Sequence, residues 1–297
     1  MNDAWNPPES DDGAWGGPGD DGPGDGGLPA ARVFEPVTLL RLGWAVLKEQ
    51  PAMVVTGGLA VLVVQVAPSL LGVPLDMITA ALLADESGSN PLEGIWGAVL
   101  SLFATPFSLL FAAGCFTASA NWVTREESDI MAVFTSFVPA LKLLLATIAY
   151  MFVLLPLFVA LFAPIGGGVY LLTQGGTLSA MLLFAVALGM AAVVIWVQLG
   201  LVFVQVAAAV DGMGPVEALQ ASLRAASGAR LVLFVTLFVW SAVTMIACCA
   251  GFLPMIPLMG MYYASFATAW LLHSRPAART RRWAFVQRNG FGALYEG

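Results

Sequence analysis

Four neutral polar side chains, Gln65, Tyr150, Gln198 and Gln205, stand inside runs that are otherwise hydrocarbon. Gln198 and Gln205 are seven residues apart, two helical turns, so a helix sets both carboxamides on one face. Groups of this kind have two uses in an apolar setting. They hydrogen-bond a neighbouring helix, typically for about 0.6 kcal/mol per contact, or they line a polar path for a neutral or lipid-like solute. Thr147, Ser241 and Thr244 belong to the same set. Ordinary catalytic chemistry has little to start from. The lone histidine, His273, sits at the end of the last apolar run, where it reads as a cap or a head-group contact. HExxH, CxxC, GxSxG and phosphate-loop patterns are absent. The residues therefore point to no catalytic site, no metal and no cofactor. Ionisable groups at mid-membrane depth, which cost about 3 kcal/mol or more and mark many transport paths, are missing from the centres of all the runs.

The solvent for these residues follows from composition. The chain has 297 residues, 59% hydrophobic and 10% charged, where a soluble domain carries about 25% charged residues. So little charge cannot cover a water-facing surface, and the bilayer is the expected solvent. Three cysteines, Cys115, Cys248 and Cys249, lie in apolar runs at different depths and read as small buried residues. The net charge of −7 is misleading, because seven of the nineteen carboxylates fall within the first 25 residues. No basic stripe supports nucleic-acid binding.

Residues 1–34 hold eight glycines and five prolines among those acids, a composition that cannot offset chain entropy. A disordered cytoplasmic tail is expected there, with Trp5 and Trp15 as either short docking motifs for a protein partner or isolated aromatics. The acidic amino end, lacking a basic flank and short apolar core, does not read as a secretory signal.

Six windows are long and apolar enough to cross a membrane as helices, near 52–74, 95–120, 139–163, 180–209, 231–252 and 254–273. The twelve Lys and Arg residues fix their sense. None lies between Lys48 and Arg125, between Lys142 and Arg224, or between Arg230 and Arg275. Each gap holds two spans and the loop joining them. With both termini in the cytoplasm, every basic residue stays inside, and the outer loops near 75–94, 164–179 and 252–254 carry none. The expected body is a six-helix membrane domain over 35–275, followed by a basic cytoplasmic tail over 276–297. Pro156 and Pro164 interrupt the third span, so 164–179 reads either as a plain outer loop after a kinked helix or as a segment dipping back into the membrane.

A short amphipathic helix precedes each hairpin on the inner side. In "EPVTLLRLGWAVLKEQP" Pro36 starts it, Val37, Leu40, Trp44 and Leu47 share a face, and Arg41 and Lys48 share another. In "EESDIMAVFTSFVP" the apolar set is Ile130, Val133, Phe134 and Phe137. In "GPVEALQASLRAASG" Pro215 starts the helix, Gly228 caps it, and Val216, Leu219, Leu223 and Ala226 oppose Glu217, Gln220 and Arg224. Each is expected to lie in the inner leaflet's surface, with Arg41, Trp44, Lys48, Phe137, Leu219 and Arg224 as anchors to membrane lipid.

The run "VFVQVAAAVDGMGPVEALQASLRAASGARLVLF" and the opening "LLRLGWAVLKEQPAMVV" resemble a broad group of bacterial six-span membrane proteins. That group includes the membrane domain found beside some glycerophosphoryl diester phosphodiesterases, and stand-alone members of unassigned role. The likeness spans about 35–275 and implies a fold and a membrane location; it transfers no catalytic residue. Ten Arg to two Lys, with abundant Gly, Pro and Ala, fit a GC-rich bacterial genome. The expectation is an all-α, non-catalytic protein of the bacterial cytoplasmic membrane, an accessory or scaffold that organises lipid or partner proteins. The alternative is a channel or transporter for a neutral or lipid-like solute, centred on Gln65, Gln198 and Gln205.

Overall fold

The computed structural model describes residues 29–83, 95–125, 130–174, 176–274 and 282–294. Among the described residues twelve α-helices follow in order: α1 (Ala30–Val33), α2 (Pro36–Glu49), α3 (Pro51–Leu83), α4 (Ile95–Arg125), α5 (Ala132–Thr135), α6 (Phe137–Thr173), α7 (Thr177–Gly200), α8 (Val204–Val210), α9 (Pro215–Ala226), α10 (Arg230–Cys249), α11 (Phe252–Ser274) and α12 (Arg282–Arg288). Among the described residues there is no strand, and six helical spans are long and apolar enough to cross a membrane. α7 and α8 together make the fourth of these.

Two spans run further than hydropathy suggests. α3 continues through Pro68 and Pro74, and α6 through Pro156 and Pro164. Neither a loop nor a dipping segment forms at 164–173; the helix continues to Thr173, and α7 begins at Thr177. Apolar helices accommodate proline when neighbours absorb the freed carbonyls, and α7 packs along α6 for this length. A Cβ on Gly168 would sit 3.2 Å from the Phe184 ring, which shows how closely the hairpin is joined.

α11 is the centre of the bundle. Its residues from Ala264 to Leu272 are buried, and it packs against α2, α3, α4 and α10. The α3–α11 crossing is made by glycines. A Cβ on Gly58 would lie 1.9 Å from the Ile256 carbonyl oxygen, and one on Gly260 would lie 1.9 Å from that of Val54. Such contact of backbones is how membrane helices maximise dispersion where lipid removes the hydrophobic drive. The outer helices α6, α7 and α10 instead present Phe152, Leu178, Leu188, Leu231 and Met245 outward. An apolar belt on that scale suits lipid and would be untenable in water.

The three surface helices differ from their expected form in instructive ways. α2 and α9 each carry two apolar faces. On α2, Val37 and Trp44 point outward as expected, with the Lys48 ammonium 5.7 Å from the Trp44 ring centroid. Leu39, Leu42 and Val46 form a second stripe against α11. On α9, Val216 and Leu223 face out, whereas Ala218, Ala221, Ser222, Ala225 and Ala226 pack inward, and Leu219 is half-buried. Pro215 and Gly228 occupy the expected start and cap, and Glu217 accepts the Gly214 N–H at 3.1 Å. The middle helix shrinks to the single turn α5. Continuing it would place Pro139 four residues after Thr135, where proline has no N–H to offer and its ring clashes. The chain breaks at Ser136, and Pro139 falls in the first turn of α6, where no donor is needed. Phe137 therefore opens a span instead of closing a surface helix.

Both tail boundaries also move. Residues 1–28 lie outside the described residues, but 30–33 form α1, and Val33 and Phe34 are fully buried. At the other end α12 docks through Phe285 and Val286, both buried. The Glu49 carboxylate holds it there, accepting from Trp122 Nε1 at 2.9 Å, Arg288 Nε at 3.0 Å and Asn289 Nδ2 at 2.9 Å. Composition averaged over a segment hid these few aromatic anchors.

Candidate functional site

The fourth span is discontinuous. α7 ends at Gly200, residues 201–203 form turns, and α8 begins at Val204. Backbone groups freed at membrane depth need partners, since no water is there to serve them. Ser222 of α9 supplies two. Its hydroxyl donates to the Gly200 carbonyl at 2.9 Å and accepts from the Phe203 N–H at 3.0 Å, and the side chain is fully buried. The Phe203 ring is wedged between Phe34 and Trp270, with centroids 4.1 Å and 5.7 Å away. Phe34 is fixed in turn, because its carbonyl accepts from Thr236 Oγ1 of α10 at 2.7 Å. The lower end of α8 is tied on both sides. Trp270 Nε1 donates to Asp211, and Lys142 Nζ donates to the Gly212 carbonyl at 2.6 Å.

Beside this break lies a cleft of about 470 Å³ between α6, α7, α8 and α10, with Tyr262 of α11 contributing to its lining. Three of the four sequence candidates meet there: Tyr150 from α6, Gln198 from α7 and Gln205 from α8. Ser241 adds a hydroxyl, and Phe234, Leu237 and Phe238 supply an apolar wall along α10. The carboxamides of Gln198 and Gln205 have no hydrogen-bond partner among the described residues. Interhelical bonding, one of the two uses open to them, is therefore not how this structure employs them. Both project polar groups into an open, mostly apolar groove.

Gln65 is elsewhere. It borders a smaller groove of about 210 Å³ between α3 and α4, with Ser101, Thr105 and Ser108. Of the residues expected as surface anchors, Arg41, Trp44, Lys48, Phe137 and Arg224 are exposed, and Leu219 is partly turned into the core. Cys115 fills the space over Gly57, Cys248 and Cys249 are exposed, and all three are free thiols. His273 packs edge-on against Phe34 and Trp270, at centroid distances of 5.8 Å and 6.3 Å.

Sequence reasoning missed Ser222, Arg230 and Trp196. A serine among alanines on an amphipathic helix looks like part of its polar face, and its partners at 200 and 203 are not periodic with it. The Arg230 guanidinium carbon stands 4.7 Å from the Trp196 ring centroid. Compared with known proteins, the chain matches no family model, no curated protein and no solved structure.

Proposed function

We propose that this is a non-catalytic, multi-pass protein of the bacterial cytoplasmic membrane that organises lipid at the inner leaflet, holding an amphiphile in the cleft beside the broken fourth span. The observation that carries this is the lining: two unpaired carboxamides and the Tyr150 hydroxyl opposite an apolar wall. Carboxamide and phenol donors suit the ester carbonyls of a lipid, and Phe234, Leu237 and Phe238 suit its chain. The distribution of Lys and Arg supports a cytoplasmic location for both termini and an inner-leaflet position for the cleft. The acidic tail is then a cytoplasmic tether for a protein partner, and the six-span bacterial group that the sequence resembles is the natural home for such an accessory protein.

The reading is tested by lipid retention. Wild-type protein, purified gently and extracted, should carry lipid that the Gln198→Leu/Gln205→Leu variant loses. Each lost contact is expected to cost about 0.6 kcal/mol, so the pair should weaken lipid affinity by about eight-fold. Equal lipid content in both proteins would contradict the reading.

A second reading, transport of a neutral or lipid-like solute, draws on the same convergence and on the discontinuous span, a device that transporters use near their sites. Flux in proteoliposomes abolished by Gln198→Leu would replace the scaffold reading. Flux no greater than in empty liposomes, across a panel of lipids and solutes, would count against transport.

A further inference from the structure

We propose that the cleft's occupant is an anionic glycerophospholipid of the surrounding leaflet, with Arg230 as its head-group residue and Trp196 as the platform that holds the guanidinium in place. The proposal rests on the lipid-holding reading and adds to it the charge and the orientation of the ligand.

Arg230 is the first residue of α10. Its guanidinium lies over Trp196 and against the end of α7: a Cβ on Gly200 would be 3.4 Å from its terminal nitrogen. Leu199 and Leu201, on either side of Gly200, line the cleft, as does Phe234, one helical turn beyond Arg230. Arg230 and Trp196 are not themselves lining residues; the cation stands beside the cleft, next to Gly200. Arg230 Nε is buried and has no hydrogen-bond partner, and among the described residues no carboxylate pairs with the side chain. An N–H that is neither solvated nor bonded is costly. The enclosed Nε is beyond reach of a ligand, so a phosphate would meet the terminal guanidinium nitrogens, which are not enclosed and whose fork it fits well.

Three features select a lipid over free phosphate. The lining residue Phe238 is itself exposed, and nearby Leu231 is exposed too, which suits an apolar occupant drawn from the leaflet. Its polar donors, Gln205, Gln198 and Tyr150, suit the glycerol–ester region. From Arg230 to Ser241 the wall rises about 16 Å, close to half of the roughly 30 Å hydrocarbon core, which is the reach of one acyl chain in one leaflet. An anionic head group is favoured over a zwitterionic one, because the latter brings a cation of its own to a site that already holds one.

The test uses the full chain, delipidated in detergent and equilibrated with equal amounts of phosphatidylglycerol and phosphatidylcholine of identical acyl chains; retained lipid is counted by mass spectrometry. Wild type should retain phosphatidylglycerol in preference. Arg230→Gln should lower its retention about ten-fold, to the phosphatidylcholine level, and Arg230→Lys, which keeps the charge, should restore part of it. Excess inorganic phosphate should displace neither lipid. Retention by Arg230→Gln equal to wild type, or displacement by inorganic phosphate, would overturn the proposal. Equal retention of the two lipids by wild type would also overturn it, while leaving the lipid-holding reading in place. Retention of neither would overturn both. The wild-type ratio decides the matter even if Arg230→Gln does not fold.

Discussion

Gly260→Leu is expected to yield no monodisperse protein, and Gly260→Ala to survive only with a lowered melting temperature. The added Cβ would sit 1.9 Å from the Val54 carbonyl oxygen, and the obstacle is backbone, which no rotamer change relieves. Gly58 faces the reciprocal limit at Ile256, so the two helices cannot slide apart at one contact and keep the other. Overpacking of a well-filled core costs about 1–3 kcal/mol and sometimes more. The upper end applies here, since α11 touches α2, α3, α4 and α10, and any shift of it disturbs every one of those contacts. Gly189→Ala is the matched control: its Cβ would meet nothing within 4 Å, and its melting curve should be unchanged or slightly raised. Size-exclusion profiles and detergent melting curves of the three variants check this. Gly260→Ala as stable as wild type would show that α3 and α11 do not cross on bare backbone.

Ser222→Ala should cost about 2 kcal/mol, more than most single polar changes in a membrane protein. Removing the hydroxyl strands two groups at once, the Gly200 carbonyl and the Phe203 N–H, in a site with no exposure. Each buried orphan costs about 1–3 kcal/mol where nothing else can serve it. Bilayer measurements of about 0.6 kcal/mol per contact argue for the low end for each. The effect should be local as well as global. The Phe203 amide should exchange with solvent deuterium at least about ten-fold faster than in wild type, equivalent to about 1.4 kcal/mol of lost protection. The break also positions Gln198 and Gln205 on either side of it, so lipid retention should fall in parallel. An unchanged exchange rate at Phe203 would mean that Ser222 does not close the break.

What could be read from the sequence was what is local. Pro215 and Gly228 mark the ends of α9 because start and stop signals act within a turn. The six spans follow from run length, and Gln198 and Gln205 were placed together because seven residues keep a helical face. Other features depend on groups far apart in the chain. Nothing in "LVF" at 201–203 announces a break; it exists because Ser222 and Phe34 receive it. Tyr150 joins the two glutamines only through the α6–α7 hairpin, and Gln65 parts from them because α3 pairs with α4. The prolines of α6 looked like interruptions by the rule for soluble helices, whereas a helix without water keeps its remaining hydrogen bonds. Phe34 and Phe285 are buried although composition assigns them to the tails, because a segment's average cannot weigh one aromatic against many glycines.

The basic end of the bundle, and with it the cleft, is expected to face the cytoplasm. A variant with Cys115, Cys248 and Cys249 replaced, carrying a single new cysteine at position 88 or at position 278, tests it on intact cells with a membrane-impermeant thiol reagent. Position 88 should label, and position 278 should stay protected until the cells are opened. Labelling at 278 with protection at 88 would contradict it.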